Sequence, residues 1–539
     1  MTLRAIDLYA GIGGWSLGLE LAGIKVVKSY EWWSAAAETH KQNLGGSVEK
    51  VDIRSLLLDD LPKGIDFVVG SPPCTQFSYS NRGGSGDVSD GLKDIKKFLE
   101  IVAFLKPKYW VFENVPRVAN VLRALRNEKN KVLGSAGRLL DDAWIDVVDA
   151  SQFGLPQARK RCLVGNFDLN LLTSYQSKTS VETLGSVLRA VEKGVDPNFS
   201  ERRPAKLTET DIEVALSKEE TRFNYEMKQH HPIYNGMAFP DDTNKPSRTV
   251  TAVCTRVSRE SIVVECSPGS EEYRRLSVRE RACLQGFPIE FQFHGVSHAE
   301  KLKMIGNAIP PVLTYYIGNA LQGISALDVK VHTLVDSSNA IRPSMSPSTQ
   351  PDLVGRSYPE KRRFRFAVPN LRFKSGTRFE LTNGKEGSDW SVDFYCGDSK
   401  RISRHMFDEQ RILSAVKGVT PEVADQFKLL IDSARTKLPQ FDDLEVQLAW
   451  SHRGTGPHPF DLIDCVGSLA AAALEAETVA GLDDPVAEEL VSRLVFNGSD
   501  VARIGEKKLR RYAKPIIAGA CLQAAFNSRD CKLGQSEAA

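Results

Sequence analysis

What this chain of 539 residues has little of narrows its reading first. Its nine cysteines include no Cys-x-x-Cys pair. That argues against a zinc site and a disulfide framework, and fits a reducing, cytoplasmic compartment. No uninterrupted apolar run is long enough to span a bilayer, which excludes a membrane partner by the helical route. Net charge is nearly absent: 70 Lys and Arg against 68 Asp and Glu leave +2. Any affinity for nucleic acid must therefore come from a local basic face. There is no repeat of fixed period, and the N-terminus runs straight into a strand pattern with no signal peptide. What remains, 42% hydrophobic and 26% charged, reads as a globular chain with room for two or three domains.

The chain is organised around Asp66 to Ser78. The apolar run Phe67-Val68-Val69 is of strand type and ends in Gly70-Ser71-Pro72-Pro73, with Cys74 directly after. Prolines stop the strand and stiffen the turn, so Cys74 is expected at the carboxyl edge of a sheet. Ligand crevices of open α/β sheets lie at that edge. A thiol held there is a candidate nucleophile, whereas elsewhere a free Cys is usually just buried.

Three earlier strand tips carry candidate ligand contacts. Leu3 to Tyr9 reads as a strand, then Ala10-Gly11-Ile12-Gly13-Gly14 as a tight turn, then a helix. Such a turn lets backbone approach a ligand closely. It is not the full dinucleotide fingerprint, because Ser16 stands where that pattern has its last Gly. Val26 to Tyr30 reads as a second strand ending in Glu31-Trp32, an acid for ribose hydroxyls and a flat ring for a base. Val51-Asp52-Ile53 is expected to end a third.

Further on, Tyr109 to Phe112 reads as a buried strand ending in Glu113-Asn114-Val115-Pro116, a second carboxylate at a strand tip. Between it and Cys74, Tyr79 to Gly91 has the composition of a mobile loop. Gln157-Ala158-Arg159-Lys160-Arg161 precedes another strand, and in an extended segment Arg159 and Arg161 share a face. Two such guanidinium groups suit a phosphate or a base carbonyl.

In this order the motifs closely resemble those of the DNA (cytosine-5-)-methyltransferases, from Ile6 to about Leu313. The resemblance implies an α/β fold: a Rossmann-like, S-adenosylmethionine-dependent methyltransferase sheet with an inserted target-recognition region and an extra C-terminal α+β domain. It implies Cys74 as nucleophile, Glu113 as acid, Arg161 at the base O2 and Arg159 supporting the thiol side. It implies S-adenosylmethionine held by Tyr9, Gly11, Gly13, Glu31, Trp32, Asp52, Ile53, Asn307 and Ala308. Double-stranded DNA is the implied partner, together with a cognate restriction endonuclease if the chain is the protective half of a restriction-modification system. Residues 1–166 and 271–330 are assigned to the catalytic domain, 167–270 to target recognition, 331–360 to a linker and 361–539 to an accessory domain.

The interval 167–270 loses the strand-helix rhythm and carries Arg202, Arg203, Lys206, Arg248, Arg256 and Arg259. Pro246 to Thr251 resembles a short family segment within this region. Ser277 with Glu280 is a capping box, and Asn307 to Pro311 is expected to open a helix reaching about Leu327. Beyond Pro359, alternation over Phe364 to Arg401 predicts short strands, and Met406 onward predicts helices. Asp443, Glu445 and Gln447 are read as an amphipathic surface strand, and His452 and His458 as loop residues. Two other functions fit less well: methylation of RNA cytosine by the same site, and a nucleic-acid-binding regulator with a dead site.

Overall fold

A computed structural model describes residues 2–74, 76–77, 88–127, 132–198, 211–295, 297–330, 346–347, 357–373, 376–387, 389–398, 401–496 and 506–529. The chain divides into two compact units. The first comprises residues 1–216 and 240–351, the second 217–239 and 352–539.

The first unit is built on a seven-stranded sheet, ordered β3-β2-β1-β4-β5-β7-β6. Its strands are β1 Arg4–Leu8, β2 Lys25–Glu31, β3 Val48–Lys50, β4 Phe67–Gly70, β5 Tyr109–Asn114, β6 Trp144–Asp149 and β7 Lys160–Gly165. β1 to β5 pair parallel, while β7 pairs antiparallel with both β5 and β6. A mostly parallel sheet is covered on both faces, which is why its strands read as unbroken apolar runs. Val68 packs with Ile6, Leu8 and Phe98 on one side, while Phe67 and Val69 pack with Trp15 and Leu19 on the other.

α1 (Gly14–Leu21), α2 (Ser34–Leu44) and α3 (Val88–Leu105) follow β1, β2 and β4. Strand order reverses between β2-β1 and β1-β4-β5, so the crevice of the fold opens at the tips of β1 and β4. A separate helix, His298–Asn307, comes first; the expected closing helix is Pro311–Gln322, with Pro at its first turn and an end short of Leu327. Pro310 and Pro311 lack the amide hydrogens a continuous helix would need, and Gly323 ends the second. That second helix lies against α1, where Thr314 Oγ1 donates to Gly14 O at 2.8 Å.

The second unit has a four-stranded antiparallel sheet of consecutive strands: Arg365–Arg372, Arg378–Thr382, Ser391–Asp398 and Arg401–His405. Helices from Glu409 to Asn527 pack on it. It also takes in Lys218–Gln229, a helix from the interval read as target recognition. Phe223 of that helix stacks on Trp450, with ring centroids 5.9 Å apart. Asp443 to Gln447 is not a strand. Asp442 caps a helix over Asp443–Trp450, accepting from the Leu444 and Glu445 amides. His452 and His458 both lie outside helices and face Glu219, at 2.6 and 3.7 Å. Among the described residues, no helix is long and apolar enough to cross a membrane.

Candidate active site

β1 ends at Leu8, and Tyr9 turns the chain with φ +56°, a left-handed value that costs a residue with a side chain about 1–3 kcal/mol. The Tyr9 hydroxyl donates to Asp94 O at 3.2 Å and holds the turn against α3. Gly13 follows at φ +93°, where a Cβ would also come within 2.6 Å of Leu44 and 3.0 Å of His40. Only glycine suits that position. Beneath the turn, buried Asp7 accepts from Ser16 N and Oγ, and burial pushes its carboxyl up to about 8.

Glu31 closes β2. Its Oε2 accepts from Gly11 N and its Oε1 from Trp33 N, both at 2.8 Å. Burial pushes the Glu31 carboxyl up, and the amides pull against it. Trp32 beside it is 65% exposed. Asp52 does not end a strand. β3 stops at Lys50, and Asp52 caps a short 3₁₀ turn, Ile53–Ser55, accepting from Arg54 N at 3.0 Å. An Asp side chain competes for nearby amides, so it favours a cap over a strand end. The turn sends Arg54 to Asp94 at 2.6 Å and Asp90 at 3.0 Å.

β4 gives way to Ser71-Pro72-Pro73, pinned from two sides. Trp15 Nε1 donates to Ser71 Oγ at 3.0 Å, and Asn114 Nδ2 donates to Pro72 O at 3.0 Å. Cys74, at the end of this turn, is partly exposed. Glu113 sits at the tip of β5. Because β7 runs antiparallel beside it, Leu163 stands opposite Glu113, and Arg161, two residues before Leu163 on the same face, reaches Glu113 diagonally. Arg161 Nε lies 2.7 Å from Glu113 Oε1, in a pair only 11% and 8% exposed. Burial pushes the Cys74 thiol up and the Glu113 charge adds to this, while Arg161 and Arg159 pull it down less strongly. Both arginines favour the thiolate, but its desolvation outweighs them.

Arg159 is fully buried. Its Nη1 donates to Val250 O at 3.1 Å, and its Nη2 to Gly306 O at 2.8 Å and Ala308 O at 3.0 Å. Asn307 is exposed at the C-terminal end of its helix, and Ala308 is buried.

These groups converge on one cavity of about 460 Å³. Tyr9, Gly11, Glu31, Trp32, Asp52, Ile53, Cys74, Glu113, Arg159, Arg161, Asn307 and Ala308 all line it; Gly13 does not. Arg54, Asp90, Asp94 and Lys303 line it too, and the sequence reading missed them. Lys303 Nζ lies 4.8 Å from the Trp33 ring centroid. Arg54 follows directly on Asp52-Ile53, a proximity that could have drawn attention to it. Of the residues expected in a loop, Tyr79 to Asp87 lie outside the described residues, as do Arg202, Arg203 and Lys206; Val88 to Gly91 already belong to α3.

Residues 3–323 match the family model described as C-5 cytosine-specific DNA methylase. The chain is similar to the Type II methyltransferase M.HindV of Haemophilus influenzae, 28% identical over 331 residues, covering 59% of this chain and 96% of that protein. It is similar to the Type II methyltransferase M.HgiDI of Herpetosiphon aurantiacus, 29% identical over 328 residues, covering 59% and 94%. Among solved structures it is similar to the S. pombe Dnmt2 methyltransferase, with 18% identity and a TM-score of 0.43, covering 60% of this chain and 98% of that one. With more than half of its length matched by that model and its strand-tip residues gathered at one crevice, the chain belongs to the C-5 cytosine-specific DNA methylase family and is a DNA cytosine-5 methyltransferase.

Proposed function

We propose that the chain methylates carbon 5 of a cytosine swung out of a specific duplex sequence, through a transient bond between Cys74 Sγ and ring carbon 6. The observation that carries this reading is the meeting of Cys74, Glu113 and Arg161 on one cavity with the residues at the tips of β1 and β2. Cytosine carbon 5 is too electron-poor to attack a methyl group directly. Once the thiolate adds at carbon 6, the 5,6 double bond is gone and electron density moves toward N3. Glu113 delivers a proton there and accepts from the exocyclic amino group. Arg161 exchanges its Glu113 partner for the base O2, which frees the carboxyl for the ring. Carbon 5, now enamine-like, accepts the methyl group. It then loses its proton to water, the Sγ–carbon 6 bond breaks with its electron pair returning to Cys74, Glu113 takes back the N3 proton, and the ring regains its conjugation.

The cavity suits S-adenosylmethionine, which supplies an electrophilic methyl group when bound. Of the carboxylates that line it, Asp90 and Asp94 are paired with Arg54 and Glu113 with Arg161, which leaves Glu31 and Asp52 to meet the polar groups of the ligand. Each Glu31 oxygen has a lone pair left beyond the amide it accepts, enough for ribose hydroxyls. The open face of Trp32 suits an adenine. Asn307 and Ala308 would complete the wall.

Extruding the base costs a few kcal/mol, recovered from hydrogen bonds in the pocket. The similarity to proteins named Type II methyltransferases supports a place in a restriction-modification system, with a cognate endonuclease as functional partner. Bisulfite sequencing of DNA from cells expressing the chain is expected to show methylated cytosine within one short sequence. Duplex DNA carrying 5-fluorocytosine at that site is expected to form a denaturation-stable adduct. Absence of both would end the proposal, and methylation of tRNA alone would transfer it to RNA.

A further inference from the structure

Three segments distant in sequence meet at one buried polar knot in the first unit. The strip entering β7 lies beside the segment from Ser247 to Val250. Ala158 N donates to Ser247 O at 2.8 Å, Ser247 N to Pro156 O at 2.9 Å, and Thr249 Oγ1 to Ala158 O at 2.8 Å. The Gln157 side chain, also fully buried, receives Val250 N at 2.8 Å and donates to Gln285 Oε1 at 2.8 Å. Gln285 Nε2 in turn donates to Ala308 O. Arg159 completes the knot, holding Val250 O with one nitrogen and Gly306 O and Ala308 O with the other. The packing is as close as the bonding. A Cβ on Gly306 would come within 2.3 Å of Ala252 N, so the backbone after Thr251 rests directly on the turn that carries Asn307. One residue further on, Val253 is 76% exposed.

We infer that Arg159 is a positioning residue that couples the segment around Val250, within the interval assigned to target recognition, to the Gly306–Ala308 turn of the cofactor cavity, so that each ligand tightens the binding of the other. The inference rests on the methyl-transfer reading. Its physical basis is that a planar guanidinium bound to three backbone carbonyls cannot let one segment shift without straining its bonds to the other. A buried hydrogen-bonded network of this kind resists independent motion of its parts, although the Arg159 Nε itself has no hydrogen-bond partner among the described residues. Apart from a long contact of Nη1 with Gln157 Oε1 at 3.4 Å, the Arg159 bonds go to backbone, so the residue fixes main chain rather than reading a base. Coupling of this kind is reciprocal, and its usual size is roughly 5- to 150-fold in affinity.

The test is calorimetric titration of S-adenosylhomocysteine into the full chain, with and without a duplex bearing the site found by bisulfite sequencing. The parent is expected to bind S-adenosylhomocysteine at least about fivefold tighter with the duplex present. Arg159→Lys keeps the charge but loses the fork. It is expected to bring that ratio to about one, whatever the change in binding of S-adenosylhomocysteine alone. A merely structural role would weaken both affinities and leave the ratio as in the parent, and that result overturns the inference. A ratio of one in the parent overturns it while leaving the methyl-transfer reading intact. A parent that binds neither ligand overturns both. Should Arg159→Lys fail to fold, Thr249→Val removes one bond of the strip at a partly exposed position. A coupling ratio cut to half or less supports the inference, and an unchanged ratio overturns it.

Discussion

Both units have buried cores of their own, and yet they are unequally informative. The first has the Cys74, Glu113 and Arg161 cluster at its strand tips; the second has a larger continuous core, running from Phe364 to Phe526, and no recognisable motif. The difference is one of what fixes a residue's identity. At a strand tip facing a reacting base, only a thiol, a carboxyl or a guanidinium does the work. In a core, any side chain of suitable volume serves, so the sequence records burial and little else.

That contrast can be broken most sharply at Cys74. Cys74→Ala is expected to abolish methyl transfer in a tritiated methyl assay while leaving binding of unmodified duplex in place; retained turnover would remove the distinction of the first unit. The next largest effect concerns the second unit. Ending the chain near Ser337 removes Trp450 and leaves Phe223 and Met227, which pack on the second core, uncovered. That truncation is expected to aggregate. A version that also replaces 217–239 with a short Gly/Ser link is expected to stay in solution and transfer methyl groups, as measured by sedimentation and the same assay. The link is feasible because Leu216 and Asp241, at the two ends of the excursion, both bond to the ribbon of Val263–Glu265 and Tyr273–Arg275.

Glu113→Gln is expected to slow turnover by about 10²–10⁴-fold with little change in cofactor affinity. A smaller loss would shift the acid role elsewhere. The thiol of Cys74, held up by burial, predicts a rate that climbs as pH rises past neutrality. The smallest effect sits under the glycine turn. Asp7 keeps its proton in the folded chain up to about pH 8 but loses it near pH 4 when unfolded. The native state therefore binds more protons between those values, and stability falls as pH rises through that window. In urea melts, Asp7→Asn is expected to gain stability relative to the parent across pH 4 to 8; a pH-independent difference would contradict the buried, neutral carboxyl.

How much could be read in advance follows the same division. Cys74, Glu113 and the Arg159–Arg161 pair stand out because strand-then-turn spacing and reactive residue types coincide. The clamp of Arg54 on Asp90 and Asp94 joins residues 36 and 40 positions apart, a distance over which charge pattern says nothing. Asp443 to Gln447 alternates like a strand, but the cap from Asp442 and the apolar spacing of Val446, Ala449 and Trp450 make a helix. Nothing in the composition of 217–239 says which core it joins; that is decided by Phe223 meeting rings far along the chain.

The helix Lys218–Gln229 also bears on how the protein is made. Glu219 meets His452 across 233 residues of chain. At a translation rate of about 5–20 residues per second, the helix leaves the ribosome roughly 10–50 s before that histidine exists. Phe223 waits until Phe366, the first of its ring partners in the second core, is made, roughly 7–30 s at that rate. Holding factors that shield nascent apolar segments would act here first, and slowing synthesis between the two segments would lengthen the exposure and lower the yield of intact protein.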